Sequence, residues 1–335
     1  MSPLLWPVLG AVRFFLALIV AGTHLTWFTP RSPIAAELNR LSALVAVGGF
    51  LMISGFSIAA SYLRQPAGFY GRRALRIVPL YLLAIAAGVF CLAPAHGTLA
   101  LPDGTVFQTP PPGLVLQNLF FLQSFTAPSI ATNGVVWSLS LEVLFYLLTP
   151  LIARCSQTCL ALIAGASLFF FVAASHFVLP QFPAMQDGLA FALLGWCWLA
   201  GFIVFRHGHN LEAALVLLAV ALVAINSYAI YLSLNWPVTL AVVALALGFG
   251  PRLRGPRRLA DLLTLFGDAS YPLYLLHLPL FFLLVALKLP LSGLGLLGAA
   301  VLLSLILDKL YDQPIKQLVR RLGARSSRSP RDTAR

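Results

Sequence analysis

The sequence predicts an all-α, polytopic integral membrane protein, with about ten transmembrane helices in one bundle and both termini in the cytoplasm. Three observations carry that prediction. Hydrophobic residues make up 60% of the chain and charged residues only 10%, against roughly 25% charged in soluble domains; the mean hydropathy is +0.91. Ten apolar stretches are long enough to span a bilayer core: 10–28, 43–62, 74–93, 135–153, 158–179, 188–205, 211–227, 230–249, 269–288 and 294–312. With the N-terminus inside, 18 of the 22 basic residues fall on inner loops or the tail, Arg31, Arg40 and Lys288 fall outside, and Arg13 lies within the first span. That asymmetry fits an even number of spans, so the net charge of +12 reports topology and argues against a nucleic-acid partner. Residues 1–322 then form one membrane domain, and 323–335 a basic, Ser-rich, disordered cytoplasmic tail.

The first span, which contains RFFLALIVAGTHLT, carries Arg13 and His24 inside membrane-grade sequence. Eleven residues at 100° each close to within about 20° of full turns, so both project from one helix face, about 16 Å apart along the axis. Ionisable groups at that depth face a cavity or a partner unless they snorkel to an interface. No basic residue precedes Arg13 and no small-x-small site follows, so a cleaved signal peptide is not expected. The second span, VGGFLMISGFSIAASY, is rich in small residues that let helices approach closely, which places it centrally. For Ser54 and Gly55, packing is favoured over chemistry.

The next inner loop leads into FYGRRALRIVPLY, where Arg72, Arg73 and Arg76 are neighbours on a helix face. Two readings fit: topology-setting charge at an inner boundary, or guanidinium forks for the phosphates of a nucleotide-like cofactor. Residues 94–134 form the longest loop, with no Lys or Arg and an apolar run LVLQNLFFLQSF that predicts a packed element over the outer face.

The fourth span brings Glu142, with Ser138 one turn before it. Counted from the span ends, Glu142 and His24 reach similar depth. That makes them an acid–base pair, or else a structural ion pair or a protonated Glu142 bonded to a neighbouring helix. In the ninth span Ser270, Tyr274 and His277 step by 4 and 3 onto one face. The four cysteines, Cys91, Cys155, Cys159 and Cys197, lack metal-type spacing and are read as packing residues; no metal site is expected.

Taken in order, these stretches resemble the membrane acyltransferase-3 family of bacterial surface-glycan O-acyltransferases. Arg13 and His24 match its R-x10-H motif, Ser54-Gly55-Phe56 its second helix, and Arg72, Arg73, Arg76, Pro79 and Tyr81 its R-R-x-x-R-I-x-P-x-Y stretch. Trp137 to Pro150 match WSLS-x-E-x-x-FYLL-x-P, and Ser270 to Pro279 match SY-x-LYLLH-x-P. Two positions depart: Val143 stands where an acidic residue often follows the glutamate, and the terminal acidic-Lys-Pro reads Asp312-Gln313-Pro314. The resemblance implies transfer of an acyl group, acetyl first among them, from cytoplasmic acetyl-CoA or another acyl-CoA to a hydroxyl of an extracytoplasmic polysaccharide or lipid-linked glycan, in the bacterial inner membrane. It implies catalytic roles for His24, Glu142 and Arg13, cofactor binding by Arg72, Arg73 and Arg76, and substrate contacts from Trp137, Ser138, Tyr274 and His277. His24 would act as general base or be acylated itself, with Glu142 orienting it. The rival readings are a transporter or flippase with a buried charge path and, last, a membrane scaffold that works with other glycan-assembly proteins.

Overall fold

The computed structural model describes residues 2–177, 187–208, 235–315 and 317. Eleven helices are named here: α1 (Leu5–Phe28), α2 (Pro33–Arg40), α3 (Ala43–Arg64), α4 (Phe69–Phe90), α5 (Pro112–Leu119), α6 (Trp137–Arg154), α7 (Gln157–Phe177), α8 (Leu189–Arg206), α9 (Asn235–Phe249), α10 (Arg257–Ala286) and α11 (Gly293–Leu307). Eight helical segments among the described residues are long and apolar enough to cross a membrane, at the places of eight of the ten predicted spans. Of the predicted eighth span, residues 235–249 are described and form the 15-residue α9. The predicted seventh span and the tail 323–335 lie outside the described residues. The protein is a multi-pass membrane protein.

Contacts gather a set of arginines at one end of the bundle, here the arginine end: Arg64, Arg72 and Arg73 lie around one opening with Trp6, Arg64 lies over Phe205 next to Arg206, Arg206 donates to the Cys155 carbonyl next to Arg154, and Arg257 follows the segment paired with Ser2–Pro3. Two short pairings tighten the ends. Ser2–Pro3 (β1) pairs antiparallel with Arg254–Gly255 (β4) at the arginine end, while Thr98–Ala100 (β2) and Val106–Gln108 (β3) form a hairpin at the other.

Small residues decide which helices are central. In α3, 78% of the most apolar stretch is buried, against 17% in α7, as the Gly/Ser/Ala content of the second span predicts. A Cβ on Gly55 would lie 1.9 Å from the Trp198 carbonyl oxygen of α8, and one on Gly201 would lie 1.8 Å from that of Met52. Gly10 and Gly267 make a similar backbone crossing between α1 and α10, where a Cβ on either falls within 3 Å of the other's Cα. From that crossing α1 and α10 run side by side through Phe14–Phe266, His24–His277 and Phe28–Phe282.

The long segment 94–134 packs as its apolar run predicts. Phe121 stacks on Tyr81 at 4.1 Å, and the buried Gln123 donates to the Tyr81 hydroxyl and the Val136 carbonyl. Pro279 has no N–H for the carbonyl of Leu275 four residues earlier. Asn133, in the 3-10 turn Ala131–Val136, donates its Nδ2 to that carbonyl instead at 3.1 Å. The bond fixes α10 against the start of α6. All four cysteines are free; Cys91 and Cys197 are buried as expected, and Cys159 is exposed.

Candidate active site

Two adjoining chambers lie within the bundle. The first, of about 840 Å³ including its opening, is bounded by α1, α3, α4, α6 and α10. Its polar wall holds Arg13, Ser54, Ser57, Arg73, Arg76, Ser138, Glu142, Tyr146, Ser270 and Tyr274, and its apolar wall includes Val47, Phe50, Leu51 and Leu139. The second, of about 730 Å³, is more open and reaches the arginine end between Trp6, Arg64, Gln65 and Arg72. Arg13, Ser57, Arg73 and Arg76 line both.

Two of the three shared arginines are held by serines of α3. Arg13 donates to Ser57 Oγ at 2.8 Å, and Arg73 donates through one terminal nitrogen to Ser61 Oγ at 2.6 Å while lying over the Phe69 ring. Arg73 Nε is buried with no hydrogen-bond partner. Among the described residues the one ion pair at contact distance is Arg40–Glu37, so none of the three is neutralised at contact range. Arg72 differs: its guanidinium is tied to the carbonyls of Gln65 and Ala67, bracing the loop before α4.

Glu142 projects into the first chamber from α6 and accepts from Ser54 at 2.6 Å and from Tyr146, both on Oε1. Ser138, a turn away, is 2.6 Å from the Tyr274 hydroxyl, which also donates to the Val135 carbonyl. Phe50 packs edge-on against Tyr274, and all three side chains line the first chamber. One turn further along α10, His277 Nε2 lies 3.1 Å from His24 Nδ1. The Trp27 ring stands edge-on to His24 and also meets Phe107 of the β2–β3 hairpin.

The expected pairing of His24 with Glu142 is therefore not the one formed. Counting from span ends put both at one depth, but the turn Ala131–Val136 precedes α6 and α6 is only 18 residues long. Glu142 thus falls at the level of Ser54, the middle of α3, whereas His24 is one turn from the end of α1. Trp137 opens α6 and lies outside the chamber lining. Ser54, read as packing, binds Glu142, while its neighbour Gly55 does serve packing. The motifs do not single out Ser57, Ser61 or Tyr146 as polar partners, although Ser54, Ser57 and Ser61 fall at i, i+3 and i+7 and so share a helix face.

The family model described as an acyltransferase domain, type 3, matches residues 7–308. The chain belongs to the acyltransferase-3 family. No curated protein and no solved structure matches it. Family membership makes this protein an acyltransferase and implies an acyl donor. The matched range takes in every chamber residue of the acyltransferase except Trp6 at its mouth.

Proposed function

We propose that this acyltransferase takes an acyl group, most simply acetyl, from acyl-CoA entering at the arginine end and passes it to a hydroxyl of a polysaccharide or lipid-linked glycan on the opposite side. In this reading the arginine end and both termini face the cytoplasm, and the membrane is the bacterial inner membrane. The observation that carries it is the trio Arg13, Arg73 and Arg76 around adjoining chambers, with no carboxylate of the described residues at ion-pair distance and a buried guanidinium nitrogen without a partner. A buried donor left unmatched costs about 1–3 kcal/mol, which an anionic ligand recovers; phosphate oxygens match the guanidinium fork.

CoA phosphates would occupy the open second chamber, and the pantetheine arm would run past Arg13 toward Ser138 and Tyr274. Arg13 lies at the junction of the chambers, about 16 Å along α1 from His24. That distance favours a role along the arm's path over polarising the thioester carbonyl. Glu142 uses Oε1 for Ser54 and Tyr146 and has Oε2 for an amide N–H of the arm. His24, as general base, takes the proton of the acceptor hydroxyl. The hydroxyl oxygen then bonds to the acyl carbon, the C–S bond breaks, and the proton passes to the CoA thiolate.

The test uses the purified full-length protein in detergent with acetyl-CoA, read as CoA thiol release. Thiol release that depends on His24 supports the reading. Movement of substrate only in sealed vesicles, with no thiol release in detergent, would sink it in favour of a carrier.

A further inference from the structure

The two histidines sit in a geometry that determines where their protons are. His277 is buried in α10, and its Nδ1 lies 2.9 Å from the Leu273 carbonyl oxygen. A carbonyl oxygen only accepts, so His277 Nδ1 carries the hydrogen and its Nε2, in the neutral ring, carries a lone pair. That lone pair faces His24 Nδ1 at 3.1 Å. Two lone pairs at that separation would repel, so His24 Nδ1 must be the donor. The remaining ring nitrogen of His24, Nε2, is then the one with a free lone pair. The rings are 28° from parallel with centroids 5.3 Å apart, and Trp27 and Phe281 stand edge-on to them, which limits rotation of either ring.

We infer that His277 is a positioning residue for the transfer reaction: by accepting from His24 Nδ1–H, it holds His24 in the tautomer whose Nε2 can take the acceptor's proton. This rests on the proposal that His24 is the reacting centre. Glu142 does not fill the role, because its bonds run to Ser54 and Tyr146. When His24 Nε2 takes the hydroxyl proton, the ring becomes an imidazolium whose Nδ1–H already points at a neutral acceptor. The proton then leaves from Nε2 to the thiolate, and the Nδ1 proton stays in place throughout. The device needs both helices in register, which the Gly10–Gly267 crossing of α1 and α10 supplies.

The experiment labels the full-length protein with 15N-histidine in detergent and reads protonated and lone-pair ring nitrogens by NMR, with His24 assigned by its loss in His24→Ala. His24 is expected as Nδ1–H in the wild type. In His277→Leu it should shift toward Nε2–H. Acetyl-CoA hydrolysis by that variant should lose about 10²–10⁴ in kcat, the range for acid–base groups and for a mis-set tautomer, with KM for acetyl-CoA nearly unchanged. In His277→Gln the side-chain carbonyl can accept at the same place, so kcat should recover at least about tenfold over Leu. A wild-type His24 found as Nε2–H overturns the proposal, and that measurement needs no substitution at His277. Equal rates for the Leu and Gln variants, both folded, overturn it as well. A His24→Ala protein with wild-type turnover instead sinks the reading of His24 as reacting centre, and with it any role of His277 in the reaction, whatever the tautomer.

Discussion

Ser54 donates its hydroxyl to Glu142 Oε1 at 2.6 Å, binding the small-residue face of α3 to α6 across the first chamber. With Tyr146 on the same oxygen, the carboxylate is held on the arginine-end side of the Ser138–Tyr274 contact, and the histidine pair lies beyond it. The protein therefore has two polar centres, and they should respond differently to substitution.

Glu142→Gln keeps an acceptor for Ser54 and Tyr146 but replaces Oε2 with a donor. A hydrogen bond to a charged group contributes about 1.5–3 kcal/mol, so kcat/KM for acetyl-CoA should fall about ten- to a hundredfold, with the loss in KM. Steady-state kinetics of the purified variant decide the matter. A fall in kcat alone, with KM unchanged and the His24 tautomer altered, would place Glu142 back on the histidine.

The arginines divide likewise. Arg73 is half-buried with a buried, unmatched Nε, whereas Arg72 is spent on the carbonyls of Gln65 and Ala67. Arg73→Ala should raise KM for acetyl-CoA about ten- to a hundredfold with kcat less affected, since uniform binding is lost. Arg73→Lys should recover only part, because an ammonium has charge without the fork. Arg72→Ala should cost less affinity and should instead lower thermal stability, as its loop carbonyls lose their donors. Equal KM effects at both positions would contradict the division.

Much of this was legible in the residues. Composition and span lengths gave the helices, the Gly/Ser/Ala content of the second span placed α3 at the centre, and helical spacing put Ser138 with Glu142 and Ser270 with Tyr274. Each of those signals is local, carried within one helix. The pairing of His24 with His277 joins residues 253 positions apart and depends on how α1 and α10 are staggered. Glycines set that stagger, but a sequence does not say which glycine meets which. The depth of Glu142 failed for a related reason: the 3-10 turn ahead of α6 is tied to α10 through Asn133, so α6 starts beside Tyr274 of α10 while α1 ends beside Phe282, and the two helix ends are not level.

Orientation is checked by cysteine labelling. In a variant with Cys155 and Cys159 replaced by Ser, Thr105→Cys on the exposed tip between β2 and β3 should react with an impermeant thiol reagent added to intact cells. Arg258→Cys, exposed at the start of α10, should react only after the membrane is opened. The reverse pattern would put the arginine chamber outside the cell, away from acyl-CoA, and would end the proposed function.

The α3–α8 crossing makes the sharpest stability prediction. A Cβ at Gly55 or Gly201 would meet backbone oxygen and carbon atoms of the facing helix at under 3 Å, and backbone cannot swing aside as a side chain can. Overpacking a well-filled interior commonly costs about 1–3 kcal/mol, and here the helices themselves must part. Gly55→Ala and Gly201→Ala should each lower the midpoint of thermal unfolding in detergent by several degrees and reduce folded yield. Separation of α3 from α8 would also move Ser54 away from Glu142, so surviving Gly55→Ala protein should show a raised KM for acetyl-CoA. Gly165→Ala is the control: it lies in a helix with nothing within 4 Å of its Cβ position, and alanine favours helix over glycine by about 1 kcal/mol. That variant should be at least as stable as the wild type. If Gly55→Ala matched it in stability, the backbone contact between α3 and α8 would be wrong.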